Sequence, residues 1–136
     1  MRRVIADLGL EDRVELRGTL PYDDLPGVYA RAACLVLASL STPYWEEQFG
    51  MVLAEGLAAG LPIVASRSGA IPEVTGDAAA YVEPGDWMAI ARALDDGPLA
   101  GEPGARVDHP RELVERSSSR AAGQRLRDAY RRLLQR

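Results

Sequence analysis

The sequence predicts an α/β fold of Rossmann type, a parallel sheet with flanking helices, on three observations. Residues 34–38 and 62–66 are short, nearly continuous apolar runs of strand length, as expected of strands covered on both faces. Stretches of helical period lie between and after them, so the strands are joined by crossovers rather than hairpins. The connecting stretch 51–59 is itself almost wholly apolar and must be covered on most sides.

Each element follows from local pattern. Val4, Ile5 and Leu8 recur at helical spacing and Gly9 stops the run, so residues 1–10 read as the end of a helix. Residues 14–17 alternate apolar and polar up to Gly18, the signature of a short strand. Leu25, Val28, Tyr29 and Ala32 mark a helix whose start is favoured by the acids Asp23 and Asp24. The strand 34–38 follows, then a polar, aromatic loop over 39–50. The helix 51–59 is closed by Gly60, and 62–66 is the second buried strand. A turn and short helix around Pro72 and Glu73 lead to a strand at 79–83. Pro84, Gly85 and Asp86 then turn the chain into a helix from Trp87 to about Asp95. Trp87 and Tyr130 are expected to pack, and Glu73 to serve as a first-turn helix acid. The organisation is a partial Rossmann-like domain over 1–98, a Gly/Pro-rich linker over 99–110 and a C-terminal helix over 111–136. That helix is interrupted near Ser117, Ser118 and Ser119 and carries Leu126, Tyr130, Leu133 and Leu134 on one side. It is expected to pack on the domain or on a partner domain.

Composition excludes several chemistries. The chain has 136 residues, 47% hydrophobic and 26% charged, enough for one domain with a core. All sixteen basic residues are arginine, so a Schiff-base or Walker lysine is excluded within the chain. Cys34 is the single cysteine, which rules out an internal disulfide and a multi-thiolate zinc site. His109 is the single histidine; between Asp108 and Pro110 it reads as a solvated loop residue. A net charge of −4 argues against a general nucleic-acid surface. Residues 111–136 nevertheless hold eight arginines against Glu112, Glu115 and Asp128, which leaves peripheral membrane or partner contact open. No run approaches the roughly 18 apolar residues of a membrane span. The start shows no apolar leader, and the chain is expected to be cytoplasmic.

The chemistry concentrates around Gly50. Glu55 lies inside an otherwise apolar helix, and a buried lone carboxylate costs several kcal/mol unless it finds a partner, a wet site or a ligand. Gly50 marks the helix start, whose free N–H groups and positive dipole end favour a phosphate-like anion. Glu47 stands just before it. A phosphate flanked by hydroxyl-bearing groups, as in a nucleotide sugar, suits this order. Two readings stay open on the residues alone: a ligand taken by both acids, or a solvated Glu47 with Glu55 paired to an arginine such as Arg31 or Arg67.

Glu47 and Glu55 are separated by seven residues, with Phe49 and Gly50 between them. This resembles the Glu-x7-Glu motif of retaining glycosyltransferases with the GT-B fold, the group 1 family. The segments 8–18, 68–74 and 81–86 also fall in that family's order. The resemblance covers about 8–94 closely and the last helix loosely. It implies that Glu47 positions the donor sugar and that Phe49, Gly50, Met51 and Val52 contact sugar and diphosphate through the backbone. It implies that Glu55 holds the ribose diol and that Gly18, Thr19 and Leu20 lie near the base. The implied reaction is transfer of a hexose from a nucleoside diphosphate to an acceptor hydroxyl, with the nucleotide sugar as substrate and neither cofactor nor metal.

The family's C-terminal domain opens with a strand, a Gly-Arg turn and a lysine that grip the diphosphate, and these find no counterpart here. Its acceptor-binding N-terminal half likewise has no counterpart. The expectation is therefore an N-terminally truncated donor-binding part, inactive alone, that works with a missing Rossmann half or partner chain. In that case the strand at 14–17 closes on 34–38 or another chain fills the gap. The alternatives are a nucleotide-sugar epimerase of the same fold, a non-catalytic nucleotide-sugar-binding or interaction module, and a decayed fragment.

Overall fold

The computed structural model describes residues 1–102 and 104–135; Pro103, in the 99–110 stretch, and Arg136 lie outside the described residues. The chain runs α1 (Arg2–Asp7), α2 (Leu25–Arg31), β1 (Leu35–Leu37), α3 (Met51–Ala58) and β2 (Ile63–Ser66). It continues through α4 (Ile71–Thr75), β3 (Ala79–Val82), α5 (Trp87–Asp96), α6 (Arg111–Arg116) and α7 (Ser119–Leu134). Single turns of 3₁₀-helix precede α2 and follow α4. No helix among the described residues is long and apolar enough to cross a membrane.

The sheet is three-stranded and parallel in the order β1-β2-β3, with Leu35 opposite Ile63 and Ile63 opposite Ala79. The order follows from the crossovers: β1 returns to β2 through α3, and β2 to β3 through α4. β2 is central and buried at all four positions, which its unbroken apolar run requires. Its odd-numbered side chains, Ile63 and Ala65, join Leu53 and Leu57 of α3 and Ile71 and Val74 of α4 in the main core. Leu113 and Val114 of α6 close that cluster from outside. α5 packs on β2 and β3, its start capped by the Asp86 carboxylate accepting from the Ala89 N–H at 2.8 Å.

Four expectations are corrected. β1 has the same apolar composition as β2 but sits at the sheet edge, so Val36 is 42% exposed rather than covered on both faces. The segment 14–17 forms no strand: alternation marks a strand only where a neighbouring edge accepts its ladder, and among the described residues none does. His109 is 8% exposed, not solvated, because residues 106–109 fold back over the end of α3. There the Val107 N–H donates to the Gly60 carbonyl at 2.9 Å, and His109 Nε2 lies 2.8 Å from the Leu61 carbonyl oxygen. Trp87 and Tyr130 are exposed rather than packed; helical period identified their face without supplying a neighbour. The break between α6 and α7 falls at Ser117 and Ser118, as expected, and the Ser118 hydroxyl caps α7 by accepting from the Ala121 N–H.

Candidate functional site

The carboxyl ends of β1 and β2 converge on the loop that carries Glu47, the place where parallel α/β sheets hold ligands. The Ser66 hydroxyl, at the end of β2, donates to the Ser39 carbonyl at 2.7 Å, and the hydroxyls of Ser41 and Ser68 meet at 2.8 Å. These contacts fasten the start of the loop to the end of β2 and the turn that follows it.

Glu47 is half-buried and held by three hydrogen bonds. Its carboxylate accepts from the Ser39 hydroxyl and from the Gly50 N–H, each at 3.1 Å. Its backbone carbonyl accepts from the Ala70 N–H at 2.9 Å. This leaves part of the carboxylate's acceptor capacity open, since an ionised carboxylate offers about four lone-pair positions.

Two glycines make this arrangement possible. Gly69, at φ +50°, presses so closely on the loop that a Cβ there would lie 2.2 Å from the Glu47 carbonyl oxygen. Gly50 takes the left-handed conformation at the start of α3 (φ 67°, ψ 65°), which a side chain disfavours. No side chain caps α3, so the first-turn N–H groups of Met51 and Val52 have no intrahelical acceptor and face the loop end of the site. Phe49 is exposed and borders a cavity of about 310 Å³ with Gln48, Ala70, Glu73, Arg116 and Arg125.

Glu55 lies about one and a half turns further along α3. It is half-buried, and its carboxylate accepts a 2.5 Å hydrogen bond from the Tyr29 hydroxyl. Burial, then this bond to Glu55, pushes the Tyr29 phenol up to about 12. The negative charge of the Glu55 carboxylate nearby also raises the Tyr22 phenol. The arginines considered as partners do not engage it: among the described residues Arg31 and Arg67 form no ion pair with Glu55, and Arg67 lies over the Tyr81 ring at 4.6 Å. Glu55 therefore acts in this fold as an acceptor for hydroxyl groups. It opens onto a pocket of about 580 Å³ walled by Tyr22, Leu25, Pro26, Tyr29, Ala58 and Arg106.

Arg106 organises that pocket from the other side. Its guanidinium donates to the carbonyls of Tyr29, Ala30 and Ala32 at 3.1, 2.7 and 2.8 Å, closing the end of α2, where a cation complements the helix dipole. Gly18, Thr19 and Leu20 stand apart: Gly18 turns the chain at φ +66° and Thr19 is exposed, and none of the three lines the Glu55 pocket. Sequence reasoning missed Tyr22 and Arg106 and read Tyr29 only as a helix-face residue. The Tyr29–Glu55 bond joins positions 26 apart, and Arg106 sits in an aperiodic stretch, so neither left a local signal. No group of three or more His, Cys, Asp or Glu among the described residues is placed to hold a metal ion.

Comparison with known proteins agrees with this architecture. A D-inositol 3-phosphate glycosyltransferase from Corynebacterium kroppenstedtii is 33% identical over 134 residues, 93% of this chain and 28% of the relative. An MMP alpha-(1->4)-mannosyltransferase from Mycolicibacterium hassiacum is 35% identical over 82% of this chain and 24% of its own length. Among solved structures, sucrose-phosphate synthase from Thermosynechococcus elongatus superposes with a TM-score of 0.71 at 29% identity. The match covers 98% of this chain and 33% of that one. The chain thus spans 28% and 24% of the length of these two curated relatives. The family model for glycosyl transferases group 1 matches residues 1–97, which contain the whole sheet and both glutamates, and the chain belongs to that family.

Proposed function

We propose that this chain is the donor-binding part of a retaining glycosyltransferase and takes a nucleoside-diphosphate sugar along α3. The observation that carries the reading is the order of groups on that one helix. A tethered carboxylate at its mouth (Glu47), uncapped N–H groups at Met51 and Val52, and a hydroxyl-accepting carboxylate (Glu55) follow one another in register. A nucleotide sugar presents sugar hydroxyls, a diphosphate and a ribose diol in the matching sequence. Glu47 holds donor-sugar hydroxyls, the backbone from Phe49 to Val52 receives the diphosphate, and Glu55 binds the ribose diol. Gly18, Thr19 and Leu20 lie toward the base.

In the reaction the bond from the anomeric carbon to the diphosphate breaks, a bond to the acceptor oxygen forms on the same face, and the acceptor hydroxyl's proton passes to the departing phosphate oxygen. Negative charge grows on the leaving diphosphate as it does, and the first-turn N–H groups and dipole of α3 oppose that charge without reorganising. Glu47 lies where positive charge develops on the sugar. The chemistry on this chain needs neither cofactor nor metal. The acceptor site and further basic groups for the diphosphate belong to a partner Rossmann half, and transfer by this chain alone is little or none.

The test is a thermal melt of the chain with UDP-glucose, GDP-mannose or ADP-glucose, beside Glu55→Gln. One nucleotide class at ten times its Kd stabilises by about 1.4 kcal/mol, a rise of roughly 4 °C. That rise is expected in the parent and absent in the variant. Equal rises in both proteins would remove Glu55 from the site, and a cooperative melt unmoved by any donor would remove donor binding itself.

A further inference from the structure

Tyr29 is held from two directions. Its hydroxyl donates to Glu55 Oε2 at 2.5 Å, and its backbone carbonyl accepts from Arg106 Nη2 at 3.1 Å. Arg106 is fixed in turn, because the N–H of its neighbour Val107 donates at 2.9 Å to the carbonyl of Gly60, just past the end of α3. These bonds form a ring that leaves α3 at Gly60, passes through Arg106 and Tyr29, and returns to α3 at Glu55. Closed in this way, the network fixes where the phenol meets the carboxylate. α2 buries no residue of its own, so its place is set by these polar links rather than by a core.

The phenol ties only one carboxylate oxygen. Among the described residues no hydrogen bond or ion pair reaches Glu55 Oε1, which keeps its lone pairs for a ligand. Tying Oε2 also removes rotamer freedom from a long side chain on folding, so that it need not be lost on binding. The chemistry of the donor matters as well. A guanidinium in this place would engage both oxygens as a fork, whereas a single hydroxyl leaves one oxygen and the negative charge free. The arginine at this pocket, Arg106, directs its guanidinium to three backbone carbonyls instead.

We propose that Tyr29 is a positioning residue of the donor site: it holds Oε2 so that Oε1 meets both hydroxyls of a vicinal diol, and the site thereby prefers ribonucleoside to 2′-deoxyribonucleoside diphosphates. The inference rests on the reading of Glu55 as the acceptor for the ribose diol. A bond that merely pinned α2 to α3 predicts a different pattern, since its loss would lower affinity for both sugars alike.

Isothermal titration of the full chain with UDP, GDP and ADP, each beside its 2′-deoxy form, separates the two. The parent should bind the ribo form of the accepted nucleotide at least about tenfold more tightly, the scale of one hydrogen bond to a charged group. Tyr29→Phe keeps the ring and deletes the hydroxyl. In it the preference should fall to about threefold or less, with affinity for the deoxy form changed by less than about threefold. Glu55→Gln should lose the preference too, and a cooperative melt of each variant without ligand will show that it folds. A preference lost in Glu55→Gln but intact in Tyr29→Phe overturns the proposal while leaving Glu55 as the ribose acceptor. An equal loss of both forms in Tyr29→Phe also overturns it, because the bond is then structural. If the parent binds none of the six nucleotides, donor binding itself falls and this inference with it.

Discussion

Gly69→Ala tests whether the Glu47 loop is set by close backbone contact rather than by its own conformation. The new Cβ would stand 2.2 Å from the Glu47 carbonyl oxygen, 2.9 Å from its nitrogen and 3.0 Å from its carbonyl carbon, all backbone atoms that cannot swing aside. The loop must move, and the Ala70 N–H bond to the Glu47 carbonyl goes with it, costing about 1 kcal/mol. A left-handed φ adds about 1–2 kcal/mol for any residue with a Cβ. The total, roughly 2–3 kcal/mol, corresponds to a fall of about 6–12 °C in Tm for a chain of this size. Gly9→Ala supplies the control, since Gly9 also has a positive φ (63°) but nothing within 4 Å of a Cβ. It should lose only the conformational share, about 3–6 °C. Scanning calorimetry of the three proteins, with and without the responding donor, decides the matter. Gly69→Ala should melt below Gly9→Ala and lose the donor response. Equal melting temperatures with the response intact would refute the claim that Gly69 seats Glu47.

Three further outcomes follow from the same contacts. The Tyr29 phenol titrates near 12 rather than at its ordinary value of 10. A folded pKa above the unfolded one gives stability that is complete below about pH 10 and lost as pH climbs toward 12, so urea midpoints should fall across that window. Tyr29→Phe should flatten that fall, and an unchanged slope would separate Tyr29 from Glu55. Arg106→Ala removes three bonds to the end of α2 and should cost about 1–2 kcal/mol in urea while weakening donor binding through the pocket wall. A loss of stability with donor affinity untouched would confine Arg106 to helix capping. His109→Leu leaves the Leu61 carbonyl without its partner and should cost about 1–3 kcal/mol; a change below about 0.5 kcal/mol would mean water replaces the ring.

The parts legible in the sequence are those decided by short-range pattern. α3, β2, β3 and α5 lie within a residue or two of their expected places, because apolar period, Gly60 and the Asp86 cap act locally. The Rossmann-type parallel order followed from the alternation of elements. Position within the sheet was not legible: 34–38 and 62–66 read alike, yet only the second is covered on both sides. The same limit explains 14–17, where pattern announced a strand and no neighbouring edge received it. At the site, the two glutamates and the helix start were visible as residue types at a spacing. Their partners were not, since Ser39, Tyr29 and Arg106 reach the site through tertiary contacts that no period encodes.

α3 explains why core and site cannot be separated here. Leu53 and Leu57 are one helical turn apart and both buried in the main cluster, which fixes the rotation of the helix about its axis. Glu55 is two residues from each and so points about 200° away from them, toward Tyr29 of α2. The axial position is set at the other end, where Gly50 starts the helix under Leu37 and the Glu47 carboxylate takes the Gly50 N–H. Rotation and translation of one short helix thus determine the separation and direction of both carboxylates. A substitution that lets α3 turn in its socket would therefore misplace Glu55 relative to Glu47 without touching either. This coupling also explains why so apolar a helix can carry a carboxylate: the leucines anchor it, and Glu55 emerges on the side where hydroxyl groups are supplied.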